Sequence, residues 1–202
     1  MNGQLQDRVF VVTGGSRGFG LAIARALVTE GARVGLVSRS QEGLDEALME
    51  IGSDRALGVA VDVGRSADIS RAFEQVKSSF GRFDGLVNNA GLAYPAAVEN
   101  LVEEEVLAQV NTNFLGTVFC CQAAIPLLRG GDNARIVNIS SASAWHYDEM
   151  HHLSIYASTK AAIERFSRDL RMELIPDGIG VDRKSTRLNS SHSQQSRMPS
   201  SA

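Results

Sequence analysis

Positive charge, cysteine and long apolar runs are all scarce in this chain, and each scarcity removes a class of function. The 20 Lys and Arg are outnumbered by 23 Asp and Glu, for a net charge of -3. That balance argues against a nucleic-acid or anionic-membrane surface, although a local basic pocket could still hold a phosphate. A small molecule is the expected partner, with no nucleic acid and no membrane. Only two cysteines occur, the adjacent Cys120 and Cys121. Neighbours inside an apolar helix-like run cannot staple distant parts of a chain, so a reducing compartment and a place in the core are expected. No uninterrupted apolar run is long enough to cross a bilayer, and no charged-then-apolar leader follows Met1. The reading is a cytoplasmic protein. Metal-ligand spacing is lacking too: His146, Asp148, His151 and His152 lie close in sequence, but no helical i, i+4 His pair or Cys spacing defines a site. No metal is expected.

What the chain does have is apolar content in short, regular pieces. With 44% hydrophobic and 21% charged residues over 202 positions, it can bury the core of one domain. The stretches "RVFVVTG", "ARVGLVS", "ALGVAVD", "DGLVNNAG" and "ARIVNISS" read as parallel strands buried on both faces. Helical periods lie between them. From about Ala67 to Phe80, the side chains of Ile69, Phe73, Val76 and Phe80 share one face, and Gly81 supplies a left-handed stop. Strand, helix, strand repeated in this way requires right-handed crossovers, which gives an α/β fold with a single doubly wound parallel sheet in three layers. Ligands of such sheets bind at the carboxyl ends of the strands.

The pattern stops near the carboxyl terminus. "GIGV" looks like the start of a further strand, but the following "DRKSTRLNSSHSQQSRMPSSA" has no apolar periodicity. This segment resembles the conceptual translation of a common sequencing adapter, with a natural disordered tail as the alternative. The expected organisation is therefore an incomplete nucleotide-binding domain over 1–181 and a non-native or disordered tail over 182–202. On that reading the sheet lacks its last two strands, and its fifth strand is an unpaired edge.

Two local patterns carry chemistry. In "VVTGGSRGFG" a strand ends and the helix led by Leu21, Ile23, Ala24 and Leu27 begins, so that Gly14, Gly18 and Gly20 fall in the turn between them. A turn without side chains lets backbone approach a pyrophosphate, which the free amides and positive end of the following helix then hold. In "YASTK" a phenol and an ammonium, Tyr156 and Lys160, stand one helical turn apart. As a proton donor, a phenol of pKa about 10 is mistuned for neutral pH by roughly three units. A nearby ammonium can correct this, since about 1.4 kcal/mol of differential stabilisation moves a pKa by one unit. Taken alone, the pair also suits an amphipathic surface helix.

Four motifs in order, "TGGSRGFG", "NNAG" at Asn88 to Gly91, the serines Ser140 and Ser141 at a strand end, and Tyr156-x-x-x-Lys160, resemble the short-chain dehydrogenase/reductase family over about Gln6 to Val181. The resemblance implies a Rossmann-like domain, a nicotinamide cofactor and a homo-oligomeric parent. It makes Tyr156 the general acid/base and Lys160 both its tuner and a ligand of the nicotinamide ribose. Ser141 matches the serine that holds the substrate oxygen by its place at the strand end, while spacing from Tyr156 points to Ser143; Ser141 is favoured. Asn113 in "NFLG" matches a helix Asn that holds a water leading from Lys160 to solvent, with Asn111 nearby. The turn Gly14, Gly15, Ser16, Arg17, Gly18, Phe19 and Gly20 would hold phosphate, Asp62 with Val63 the adenine, and Asn89, Ala90 and Gly91 the wall beside the adenosine ribose. The loop after the serines would face substrate, with Trp145 or Tyr147 shaping it.

At the end of the second strand, where a carboxylate would bind the ribose hydroxyls of NAD, the chain carries Ser38 and Arg39, and Arg17 stands in the glycine turn. Two guanidinium groups there could converge on a 2'-phosphate, which favours NADP over NAD. The expected function is an NADP-dependent oxidoreductase that interconverts a carbonyl and a secondary alcohol. The alternatives are a non-catalytic dinucleotide-binding sensor or scaffold, or an inactive fragment of the enzyme. Which carbonyl compound is used stays open.

Overall fold

The computed structural model describes residues 3–52, 54–145 and 151–186. Strand β1 (Val9–Thr13) runs into helix α1 (Gly18–Thr29), and β2 (Arg33–Ser38) into α2 (Gln41–Ile51). The alternation continues with β3 (Ala56–Ala60), α3 (Ser66–Phe80) and β4 (Gly85–Asn88). Helix α4 (Glu103–Gln109) and helix α5 (Gly116–Leu128) are joined by a π turn, Val110–Leu115, and then come β5 (Arg135–Ser141), α6 (Ser154–Glu173) and β6 (Gly180–Thr186). The strands form one parallel sheet in the order β3-β2-β1-β4-β5-β6. The order reverses between β1 and β4, so the carboxyl ends of these two strands flank the crevice of a doubly wound sheet.

The central strands β1 and β4 are apolar runs because both of their faces are covered. Along β1, Val9 and Val11 enter one buried cluster with α3 and α5, while Val12 enters the other with α1 and α2. The helix expected over Ala67–Phe80 is α3. It buries Ile69, Phe73 and Val76, and Gly81 closes it at φ 79° with its amide donating to the Lys77 carbonyl. Cys120 and Cys121 are free thiols buried in the α3–α5 cluster. Burial pushes both thiols up, Cys121 to about 12, so they are packing groups. Among the described residues no helix is long and apolar enough to cross a membrane.

The carboxyl-terminal expectation is corrected in one respect. The sixth strand is not cut off at Val181: β6 pairs with β5 from Arg135↔Gly180 to Ser141↔Thr186. The boundary at Val181 falls inside a strand, β5 is paired on both sides, and β6 is the edge. Parallel pairing needs only backbone groups, and at an edge the side chains can face water, so Asp182, Arg183, Lys184 and Ser185 are all exposed. Residues 187–202 lie outside the described residues.

A thread of polar side chains crosses this apolar interior. Asn88 Nδ2 donates to Asn138 Oδ1 at 2.9 Å, and Asn138 Nδ2 donates to Ser167 Oγ at 2.9 Å. Ser167 in turn donates to the Ile163 carbonyl at 2.7 Å. All three side chains are buried. The thread ties β4 and β5 to α6, which carries the Tyr and Lys.

Candidate active site

The glycine turn is held open by backbone that glycine adopts most readily. Gly14 and Gly18 have φ of 64° and 55°, in the left-handed region that favours glycine. A Cβ on Gly20 would stand 2.2 Å from the Gly14 carbonyl oxygen. Arg17 begins α1 without a side-chain hydrogen bond to the first turn, so no side chain of the cap takes the helix's leading amides. Arg17, Phe19 and Arg39 are exposed. Ser16 Oγ donates to Ser38 Oγ at 2.9 Å, fastening the turn to the end of β2.

Thr13, which the sequence reading passed over, organises the far wall. Its Oγ1 accepts from the backbone amides of Asn89 and Ala90 at 3.0 and 3.1 Å. Asn89 Nδ2 returns bonds to the carbonyls of Thr13 and Gly14 at 3.0 and 3.3 Å. The ends of β1 and β4 are thereby locked together. A threonine as the last strand residue before a glycine turn was the available signal. Asp62 Oδ1 accepts from the Gly64 amide at 2.9 Å, and Val63 beside it is buried.

At the end of β5 and along α6, Ser141, Tyr156 and Lys160 meet, all buried. Lys160 Nζ donates to the Ile139 carbonyl at 2.8 Å and lies 5.7 Å from the centre of the Tyr156 ring. Ser140 Oγ donates to the Lys160 carbonyl at 3.3 Å, a second tie between strand and helix. Burial holds the Lys160 ammonium down at about 8. Burial also raises the Tyr156 phenol, and the hydrogen bond with Ser141 pulls it back. Where the sequence suggested a phenol lowered by Lys160, burial, which disfavours the phenolate, sets the direction in the resting site. Ser143 Oγ donates to Ser141 Oγ at 2.9 Å, and the Ser143 amide does so at 3.3 Å. The hydroxyl that acts on the phenol is thus that of Ser141, with Ser143 behind it.

Asn113 sits in the π turn, fully buried. Its Oδ1 accepts from the Leu92 amide at 2.7 Å, and its Nδ2 donates to the Leu92 carbonyl at 2.9 Å and to Thr159 Oγ1 at 3.1 Å. A Cβ built on Gly91 would lie 3.5 Å from Asn113 Oδ1 and 3.6 Å from Lys160 Nζ, so these two groups face one spot on the loop after β4. Asn111 is exposed and lies beside Gly64 instead. His146, Tyr147 and Asp148 lie outside the described residues. His151 and His152 are exposed, and among the described residues no three ligand-type side chains gather as a metal site would require.

Comparison with known proteins agrees on one kind of molecule. A family model described as short chain dehydrogenase matches residues 8–192. A 3-oxoacyl-[acyl-carrier-protein] reductase of Bos taurus is 33% identical over 176 residues, covering 87% of this chain and 73% of that protein. A 3-ketodihydrosphingosine reductase of Bacteroides thetaiotaomicron is 37% identical over 177 residues, covering 88% and 62%. The chain thus spans between three fifths and three quarters of the length of these relatives. Among solved structures, a 3-ketoacyl-(acyl-carrier-protein) reductase from Brucella melitensis complexed with NADH superposes with a TM-score of 0.86 at 32% identity, over 91% of this chain and 76% of that one. A short chain dehydrogenase from Burkholderia cenocepacia in complex with NADP gives 0.83 at 33%, over 89% and 74%.

Proposed function

The chain belongs to the short chain dehydrogenase family of oxidoreductases, and from that premise we propose that it interconverts a carbonyl and a secondary alcohol using NADP(H). The observation that carries the proposal is the meeting of Ser141, Tyr156 and Lys160 at the carboxyl end of β5, in one buried cluster beside the glycine turn's crevice. A nicotinamide dinucleotide suits the residues present. The first turn of α1 has no side-chain cap, and a Cβ on Gly18 would meet no atom within 4 Å, so the turn presents backbone to open space. Gly14 to Gly20 would hold the pyrophosphate, Asp62 and Val63 the adenine, Asn89 to Gly91 the ribose wall, and Lys160 with Tyr156 the nicotinamide ribose. Exposed Arg17 and Arg39 beside the end of β2, with no carboxylate at Ser38, favour the 2'-phosphate of NADP.

The bound cofactor supplies or accepts the hydride. The chain's own residues do the rest. Ser141 donates to the carbonyl oxygen and keeps it within reach of the phenol. Tyr156 gives its proton to that oxygen as negative charge develops, and takes it back in the reverse direction. The phenol is raised at rest, so the proton is present at neutral pH; what must be favoured is its departure. An ammonium 5.7 Å from the ring provides that bias once the reaction begins. Two relatives are named for 3-oxoacyl and 3-keto compounds, which puts a 3-oxoacyl thioester first among carbonyls to try. The test is Tyr156→Phe. It should lower NADPH oxidation by several orders of magnitude and leave NADPH affinity within a few fold, because ring packing survives. Near-normal turnover in the variant would remove Tyr156 from the reaction.

A further inference from the structure

Thr159 stands between Tyr156 and Lys160 and points to neither the phenol nor the ammonium in any hydrogen bond. Its hydroxyl has one proton, which goes to the Tyr156 carbonyl at 2.7 Å. That donation leaves oxygen lone pairs to meet the Asn113 carboxamide, whose Nδ2 donates at 3.1 Å. Asn113 has no other freedom: its Oδ1 is held by the Leu92 amide and its second N–H by the Leu92 carbonyl. Asn113 and Thr159 are both buried. Across the helix, Lys160 is tied to β5 through Ile139 and Ser140.

Resting on the reading above, we propose that Thr159 is a positioning residue: its hydroxyl anchors the Tyr156–Lys160 turn of α6 to Asn113 and the loop after β4, opposite the anchor on β5. The turn carrying the proton donor is therefore held from two sides, and only one side is made by Lys160. Replacing the hydroxyl with a methyl leaves a buried N–H of Asn113 without a partner and frees one side of the turn. Small displacements of reacting groups cost up to about two orders of magnitude in rate.

The test uses Thr159→Val, which keeps the shape, and Thr159→Ser, which keeps the hydroxyl, in the full chain. Three readouts apply: kcat and KM with NADPH and a 3-oxoacyl thioester, NADPH affinity, and the titration of Lys160 by carbon-13 NMR. Only Lys77, Lys160 and Lys184 contribute lysine signals, so assignment is direct. Thr159→Val should lower kcat by about 10- to 100-fold and leave NADPH affinity within about 3-fold. Its Lys160 titration should rise from about 8 toward the ordinary lysine range, as water enters the loosened turn. Thr159→Ser should restore both. Where Thr159→Val does not fold, Thr159→Ala carries the same expectations. An unmoved titration and kcat in a variant that only melts earlier would overturn the proposal, as would a serine variant no better than valine. If the parent chain turns over no carbonyl, yet the titration moves in Val and returns in Ser, the positioning holds and the reaction reading falls. If Tyr156→Phe abolishes turnover while Thr159→Val changes nothing, the reverse is true.

Discussion

Gly18 and Gly20 stand two residues apart in one turn, and alanine should harm them very unequally. A Cβ on Gly20 would lie 2.2 Å from the Gly14 carbonyl oxygen and 2.5 Å from Asn89 Nδ2, where ordinary contact begins at 3.4 Å. Something must retreat by about 1 Å, which is the order of overpacking that a core resists. Gly14 is held by its amide on the Val37 carbonyl at 2.7 Å. Asn89 is held by its bonds to the carbonyls of Thr13 and Gly14. Overpacking of about 2 kcal/mol plus about 1 kcal/mol for a lost hydrogen bond puts Gly20→Ala near 3 kcal/mol. At Gly18 no atom lies within 4 Å, so alanine meets only the left-handed backbone. That strain of about 1–2 kcal/mol is partly offset by a less flexible unfolded chain, leaving about 1 kcal/mol. With about 2–4 °C per kcal/mol for a chain of this size, Tm should fall by roughly 6–12 °C for Gly20→Ala and roughly 2–4 °C for Gly18→Ala. Thermal denaturation of both variants at one protein concentration measures this, and a run with NADPH shows whether the displaced turn still gains stability from the ligand. A Gly20→Ala protein that melts with the parent, or a Gly18→Ala protein that melts below the Gly20→Ala protein, would refute the steric reasoning.

Two further outcomes follow from charge. Burial holds Lys160 at about 8 in the folded chain, below the ordinary lysine value of the unfolded one, so between those values the unfolded chain binds more protons at this site and its contribution to stability rises with pH. The buried Cys120 and Cys121 thiols, pushed up by burial, oppose this rise equally in parent and variant, so the test is a difference: from pH 7.5 to 10 the parent should gain about 2 kcal/mol relative to Lys160→Met in urea unfolding, and equal slopes would refute the burial account. Arg39→Asp should weaken NADPH binding by about 2 kcal/mol, or about 30-fold, and spare NADH, since it removes a charge-assisted contact and adds a repulsive one. Equal losses for both cofactors in a fluorescence titration would remove Arg39 from phosphate recognition.

The apolar strands and the glycine turn could be read from the chain because each leaves a periodic or compositional trace. Val9 to Val12 are buried on both faces and so are uniformly apolar, and the Tyr156–Lys160 turn follows from helical spacing alone. The remainder depends on tertiary partners that leave no period. Strand β6 beyond Val181 is an edge, and its exposed Asp182 to Ser185 carry no apolar signature. Thr13 and Thr159 act through hydroxyls whose partners lie 76 and 46 residues away in sequence. The resting shift of Tyr156 could not be read for a related reason: adjacency to Lys160 is visible in the sequence, but the extent of burial, which raises the phenol, is set by the whole fold.

The thread from Asn88 through Asn138 to Ser167 bears on how the sheet is assembled. Leu86 and Val87 of β4 and Ile136, Val137 and Ile139 of β5 are apolar on both faces, so a slipped pairing would still bury apolar side chains. The register Asn88↔Asn138 is different, because it is set by two carboxamides that have no water to fall back on. A slip of one residue would set Val137 or Ile139 beside Asn88, turn Asn138 to the opposite face away from Ser167, and strand polar atoms in the interior at about 1–3 kcal/mol each. These three side chains therefore make a slipped alignment of β4 on β5 costly where apolar burial alone would tolerate it.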